Sequence, residues 1–298
     1  MSQSETYQNP KAPLPVTIIG GYLGAGKTTL INHLLRNADG KKLAILVNEF
    51  GELPIDADLI EAQDDKLISL SGGCVCCSFG NDLMAAMTDL QTMEPRPDHI
   101  VLEASGVAIP SMIAGSISIM NGYRLDGTLV MVDALNIRNL SKDTYLSDTV
   151  ARQLTDSDIV ILNKADLVDG EELTAVGEWA GQISENAKLL PATNAKVPLN
   201  VALQNFDRLL SAQGGHYHLL DGYVTQSIEM TDQVDPLEFA ESLLDENPDL
   251  VRAKGFVYDL DGAMKTVQIV GNRIDVSPAP AGVKPGMVII CLTKTGMA

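Results

Sequence analysis

Basic residues are scarce in this chain. Its 298 residues carry 21 Lys and Arg against 39 Asp and Glu, a formal net charge of −18. A field of that sign repels phosphate backbones and anionic headgroups, and no dense Lys/Arg patch interrupts it, so neither nucleic acid nor a membrane surface is expected as a partner. Long apolar runs are missing too. The longest candidate, Val107 to Met120, is cut by Pro110, Ser111, Ser116 and Ser118 and falls short of the ~20 consecutive apolar residues that cross a bilayer. Residues 1–13 are polar and Pro-bearing, without the apolar segment of a signal peptide, and a cytoplasmic protein is expected. No internal repeat or low-complexity tract is present. Of the four cysteines, Cys74, Cys76 and Cys77 fall within four positions and Cys291 stands alone near the end. That is no disulfide framework; in a reducing compartment clustered thiols point to metal ligation or redox chemistry. What the chain does have is a hydrophobic fraction of 45%, enough to bury a core and to exclude disorder along its whole length.

Short apolar runs alternate with longer amphipathic ones through the first two-thirds. Strands are predicted at Val16–Gly20, Leu43–Asn48, Lys66–Ser71, His99–Glu103, Thr128–Asp133, Ile159–Asn163 and Lys188–Ala192. Helices are predicted between them at Lys27–Asn37, Asn81–Met93, Pro110–Met120, Tyr145–Thr155 and Glu171–Gln182. The strands are runs rather than alternations, as when helices cover both faces of a parallel sheet, and the class implied is α/β with a doubly wound sheet. The expected organisation is a polar tail (1–13), a nucleotide-binding domain (14–195), a connector (196–221) and a smaller α+β domain (222–298). In the smaller domain a single helix, Pro236–Asp245, precedes closely spaced strands with turn signals at Asp261-Gly262 and Gly271-Asn272.

Gly21-Tyr22-Leu23-Gly24-Ala25-Gly26-Lys27-Thr28 fits G-x4-G-K-[ST] between a β-rich run and an amphipathic helix. Glycines let successive N–H groups turn inward as an anion nest at the positive end of a helix. Gly21, Leu23, Gly24, Ala25, Gly26, Lys27, Thr28 and Thr29 are therefore the candidate phosphate-binding residues, with Lys27 reaching the β- and γ-phosphates and the Thr28 hydroxyl offered to Mg²⁺. Downstream, Asn163-Lys164-Ala165-Asp166 follows a buried run. Asp166 can accept from the guanine N1–H and exocyclic amine, which adenine lacks; Asn163 can support the purine's other edge, and the Lys164 stem can cover the ring.

Glu103 ends an apolar strand with Gly106 three residues on. A hard cation beside phosphates wants such an oxygen at a strand's C-terminal end; Glu103 would act directly or through water, and Gly106 could bring backbone near a γ-phosphate. Asp133, also strand-terminal, ranks below it. Glu49 follows another strand, where it either orients water or Mg²⁺ or serves as a cap. In Gly72-Gly73-Cys74-Val75-Cys76-Cys77 three sulfurs can converge on one borderline ion such as Zn²⁺. Buried small hydrophobes and a redox thiol pair are the alternatives, and no fourth ligand is evident. His216 and His218 are either accessory ligands or an exposed loop, whereas His33 and His99 read as structural.

Taken in order, GGYLGAGKTTL, NEFGE, SGGCVCC, LEASGVAIP and NKAD, with the later RAKGFV, resemble the CobW family of P-loop GTPases over nearly the whole chain from Leu14 onward. The resemblance implies a metal-handling GTPase with weak intrinsic hydrolysis. It also implies catalytic roles for Lys27, Glu49 and Glu103, GTP-dependent capture of Zn²⁺ or Co²⁺ by Cys74, Cys76 and Cys77, and delivery to a client metalloprotein. Members of that family serve nickel enzymes, cobalamin synthesis, nitrile hydratase and zinc allocation. GTP, GDP and Mg²⁺ are the expected small ligands, and a homo-oligomer is left open. One departure is visible: the His-rich tract of many members shrinks here to Gly214-Gly215-His216-Tyr217-His218, which argues against metal storage. Two rival readings remain, an assembly factor whose GTP state gates docking on a client, with structural cysteines, and a kinase using the same phosphate loop, against which the N-K-x-D sequence speaks.

Overall fold

The computed structural model describes residues 12–38, 40–47, 67–71, 81–203, 218–220 and 222–293. Among them the strands form two sheets. The first is assembled from β1 (Leu14–Gly21), β2 (Leu43–Val47), β3 (Leu67–Ser71), β4 (His99–Glu103), β5 (Tyr123–Asp133), β6 (Ile159–Asn163) and β7 (Lys188–Ala192). All its pairings are parallel, in the order β3-β2-β4-β1-β5-β6-β7. From β1 the chain crosses to β2 and β3 on one side, returns to insert β4 beside β1, and then adds β5, β6 and β7 on the other side, so the order reverses at β1. Every strand also ends at the same edge, the place where open α/β sheets bind ligands.

The pleat sends alternate side chains to opposite faces. On one face, Val16, Ile18, Ala44, Ile100 and Leu102 pack with Leu83, Met87 and Leu90 of α2 (Asn81–Thr92) and Ile113 and Ile117 of α3 (Pro110–Ser118). Further along, Val130, Val132, Val160 and Leu162 pack with α5 (Ser147–Leu154) and α6 (Gly170–Ile183); a short α4 (Ile137–Leu140) lies between β5 and α5. The other face, carrying Ile19, Ile45, Val101, Leu129, Met131 and Ile161, meets α1 (Lys27–Arg36), α7 (Leu199–Ala202) and the second sheet. Strands this apolar need cover on both sides, and here the second sheet supplies much of it through Val251, Val270, Val288 and Ile290.

That second sheet is antiparallel, in the order β12-β11-β10-β13-β9-β8. Its strands are β8 (His218–Leu220), β9 (Tyr223–Ile228), β10 (Leu250–Tyr258), β11 (Met264–Val270), β12 (Arg273–Pro278) and β13 (Gly286–Leu292). Its outer face is covered by α8 (Pro236–Glu246) through Ala240 and Leu243. Asp235 caps α8 by accepting from the Leu237 and Glu238 N–H groups at 2.9 and 3.0 Å. The architecture is thus a doubly wound α/β sheet followed by a smaller α+β unit. No described helix is long and apolar enough to cross a membrane.

The sequence expectation has neither α4 nor β9, and β5 and β8 differ from it for a physical reason. β5 begins at Tyr123 rather than Thr128, because Asp126-Gly127 is taken into the strand as a bulge: the register with β1 shifts between Val16 and Thr17. The bulge sits where the two sheets touch. Asp126 there accepts from Arg252 Nη1 at 3.1 Å, Thr17 Oγ1 at 3.2 Å and Gln268 Nε2 at 3.3 Å. Likewise β8 falls inside the expected connector, since antiparallel pairing with β9 supplies the backbone partners that its own sequence gives no reason to expect.

Candidate functional site

β1 ends at Gly21 and the chain doubles back into α1. Gly21 (φ 126°) and Gly26 (φ 105°) hold backbone angles that L side chains avoid. Neither has room for a Cβ, which would strike the Met131 carbonyl at Gly21 and the Asn163 amide at Gly26. The curl leaves Lys27 as the first residue of α1, only 7% exposed, its ammonium donating to the carbonyls of Gly21 at 3.0 Å and Tyr22 at 3.4 Å. The cation is folded over its own loop, where phosphate oxygens would meet it together with the N–H groups opening α1. Ala25 is buried, while Leu23, Gly24 and Thr29 face outward.

Thr28 donates to Glu103 Oε1 at 3.4 Å, and Glu103 is 4% exposed at the end of β4. A hydroxyl and a carboxylate side by side next to a phosphate loop are hard oxygen donors suited to Mg²⁺, and the residues fit that ion. Beyond Glu103 the chain makes a β-turn closed by the Ala108 N–H on the Ser105 carbonyl at 2.9 Å. Gly106, in this turn, packs so closely on Leu23 that a Cβ would collide with that side chain.

β6 delivers the candidate base-reading residues, Asn163 to Asp166. Asn163 is buried and its amide is committed at both ends, Nδ2 donating to the Ala25 carbonyl at 2.9 Å and Oδ1 accepting from the Ala195 N–H at 2.8 Å. Asn163 braces the phosphate loop against the segment after β7, as a buried amide must find such partners. Lys164 adopts φ 61° and its ammonium lies 2.7 Å from Asp133 Oδ2. Asp133, which the sequence offers as a second carboxylate for the cation, is occupied otherwise: it also accepts from the Leu135 N–H and Asn136 Nδ2, both at 3.0 Å. Burial works against its charge, but the bonds from Lys164 and Asn136 hold its carboxyl below the ordinary value. Asp166 is exposed on a single 3₁₀ turn, Ala165–Leu167, open to a base.

The structure thus gathers the 21–28 loop, Glu103 and Asn163 to Asp166 at one sheet edge. Glu49, Cys74, Cys76, Cys77 and His216 lie outside the described residues. Among the described residues no group of three or more His, Cys, Asp or Glu is placed to hold a metal. Cys291 sits apart, in β13, where burial pushes its thiol up. His33 and His99 are structural, bonded to the Val197 carbonyl at 3.0 Å and to Thr17 Oγ1 at 2.8 Å. The roles of Asp133 and Ala195 carry no local sequence signal; they follow from strand order, with Asp133 in register with Asn163, and Asn163 with Ala192.

A glycine-rich phosphate loop after β1, a hydroxyl–carboxylate pair beside it and the Asn163–Asp166 loop two strands away define a P-loop nucleotide-binding protein. The family model for the CobW/HypB/UreG nucleotide-binding domain matches residues 15–191, and the chain belongs to that family. A Sinorhizobium protein described as "Zinc chaperone CobW" is 32% identical over 88% of this chain and 86% of its own length. A Dictyostelium discoideum protein described as "Zinc-regulated GTPase metalloprotein activator 1" is 32% identical over 72% of this chain and 54% of its own. Among solved structures, Zn(II)-bound YjiA GTPase from E. coli aligns over 94% of both chains with 23% identity and a TM-score of 0.48.

Proposed function

We propose that this protein is a cytoplasmic GTPase that captures a divalent transition metal, zinc or cobalt, through the thiolates of Cys74, Cys76 and Cys77 while GTP is bound, and passes it to a client protein after hydrolysis. Register carries the reading. Ser71, the last residue of β3, pairs with Val47, the last of β2, and Val47 pairs with Glu103. Strands lie ~4.8 Å apart, so Ser71 and Glu103 are separated by about 10 Å. At ~3.4 Å per residue, the chain needs about three residues to cover that distance, and Cys74 is the third residue after Ser71. The descriptions of the relatives as zinc chaperones and zinc-regulated GTPases support the same reading, and three thiolates suit Zn²⁺ or Co²⁺.

Within it, the 21–28 loop and Lys27 bind the phosphates, Asp166 selects guanine, Asn163 and Lys164 shape the base pocket, and Glu49 orients the attacking water. Thr28 and Glu103 would hold Mg²⁺, whose charge offsets that developing on the phosphates. Hydrolysis loosens the loops ordered by the terminal phosphate, and with them the thiolate site.

The test is a zinc titration of the GTP-bound protein against a competing chromophoric chelator. Replacing Cys74, Cys76 and Cys77 by serine removes the soft ligands and is expected to weaken zinc binding about 100-fold or more. Undiminished affinity in that triple variant would overturn the assignment.

A further inference from the structure

Gln153 lies near the end of α5, is 2% exposed, and touches neither the phosphate loop nor the base loop through any hydrogen bond the structure shows. Its Nε2 donates to two carbonyls of one turn, Gly106 at 3.0 Å and Ala108 at 2.9 Å. Two acceptors fix the orientation of the amide, because only its nitrogen end can serve both. The turn so gripped is the one leaving Glu103, closed by Ala108 on Ser105. It is boxed on its other side by the nucleotide loop: Gly106 packs on Leu23, and Pro110, just past the turn, fills the space beside Gly20.

Strand order says which end of the nucleotide this turn adjoins. The base-reading residues leave β6, the phosphate loop leaves β1, and Glu103 leaves β4, in the lateral order β4-β1-β5-β6. A nucleotide with its base at β6 and its phosphates on the β1 loop therefore extends toward β4. The turn after Glu103 stands at the terminal-phosphate end, where GTP differs from GDP.

We propose that Gln153 is a positioning residue for the terminal phosphate: by anchoring the Gly106 and Ala108 carbonyls to α5 it holds the 105–108 turn against the phosphate loop and sets the preference for GTP over GDP. This rests on the GTPase reading above. A dispersed role in packing would weaken both nucleotides alike; a role in holding this turn weakens GTP selectively.

The experiment measures affinities for a non-hydrolysable GTP analogue, GDP and the matching ATP analogue, with Mg²⁺, in the full-length protein. Gln153→Met fills a similar volume without donors and strands two buried carbonyls, so affinity for the GTP analogue is expected to fall about 10- to 100-fold. GDP affinity is expected to stay within about twofold, since GDP places nothing at the turn. Gln153→Asn, with donors one methylene short, is expected to lie between, and gives the reading if Gln153→Met does not bind GDP. Equal losses for GTP analogue and GDP, or an unchanged ratio with only a lowered melting temperature, would overturn the proposal. A wild-type protein that binds the ATP analogue as well as the GTP analogue would instead overturn the GTPase reading, so the two failures are distinguishable.

Discussion

Lys27→Ala is expected to lower affinity for both GTP and GDP by about 100-fold or more, measured by fluorescent-nucleotide displacement, and to abolish detectable hydrolysis. Lys27 is 7% exposed and its ammonium donates to carbonyls of its own loop. A phosphate that enters therefore gains a pre-placed, poorly solvated cation, and charge-assisted bonds of this kind are worth about twice neutral ones. Alanine also leaves the Gly21 and Tyr22 carbonyls without the ammonium they accept from. The loss falls on the phosphates, so it is expected to be the same for every base. Asp166→Ala makes the contrast. Its carboxylate is exposed on the turn after β6, and removing it is expected to relax the choice between guanine and adenine while leaving phosphate binding in place. A Lys27→Ala variant that binds GTP normally would remove the phosphate loop from the account.

The second large effect concerns stability. Arg252→Met is expected to lower the free energy of unfolding by about 3–5 kcal/mol, seen as a lower denaturant midpoint. Arg252 is fully buried where the two sheets meet, its guanidinium donating to Asp126 at 3.1 Å and to the Val201 and Ala202 carbonyls at 2.5 and 3.0 Å. Burial works against the Asp126 charge, but Arg252, helped by His99 and Arg124, holds that carboxyl well below the usual range. Removing the cation takes from a buried carboxylate its nearest counter-ion, leaving Arg124 at 3.6 Å, and uncaps the end of α7. Because the cost comes from stranding Asp126, the double change Arg252→Met, Asp126→Leu is expected to recover a large part of it. Equal loss in single and double variants would mean that packing at Arg252, not charge, is what matters.

The same junction is expected to add acid sensitivity, checked by the denaturant midpoint of wild type and His99→Gln between pH 4 and 7. Burial lowers His99 to about 4, the adjacent Asp126 opposing that shift and Arg252 and Arg124 adding to it. The folded protein thus keeps His99 neutral while the unfolded chain takes up its proton near pH 6.5. Stability is full above that value and declines as pH falls toward about 4, at no more than ~1.4 kcal/mol per pH unit from this group.

How much of this was legible beforehand depends on whether the signal was local. The 21–28 loop, Glu103 and the 163–166 loop were readable because the chemistry demands particular residue types at fixed short spacings. The parallel sheet was readable because its strands are apolar on both faces. The bracing contacts were not. Asn163 to Ala25 and Ala195, Lys164 to Asp133, and Gln153 to the 105–108 turn all join segments far apart in the chain. Only the strand order brings them together. The early start of β5 has the same cause: Asp126-Gly127 stays in the strand through a bulge that meets the buried Arg252, far along the chain.

If the nucleotide and the thiolates sense one another, zinc affinity depends on which nucleotide is bound. Zinc affinity is measured by chelator competition in three samples, with a non-hydrolysable GTP analogue, with GDP and without nucleotide. Zinc is expected to bind at least about tenfold more tightly with the GTP analogue than with GDP, and by linkage zinc is expected to favour the analogue over GDP by the same factor. Equal zinc affinity in all three samples would contradict it.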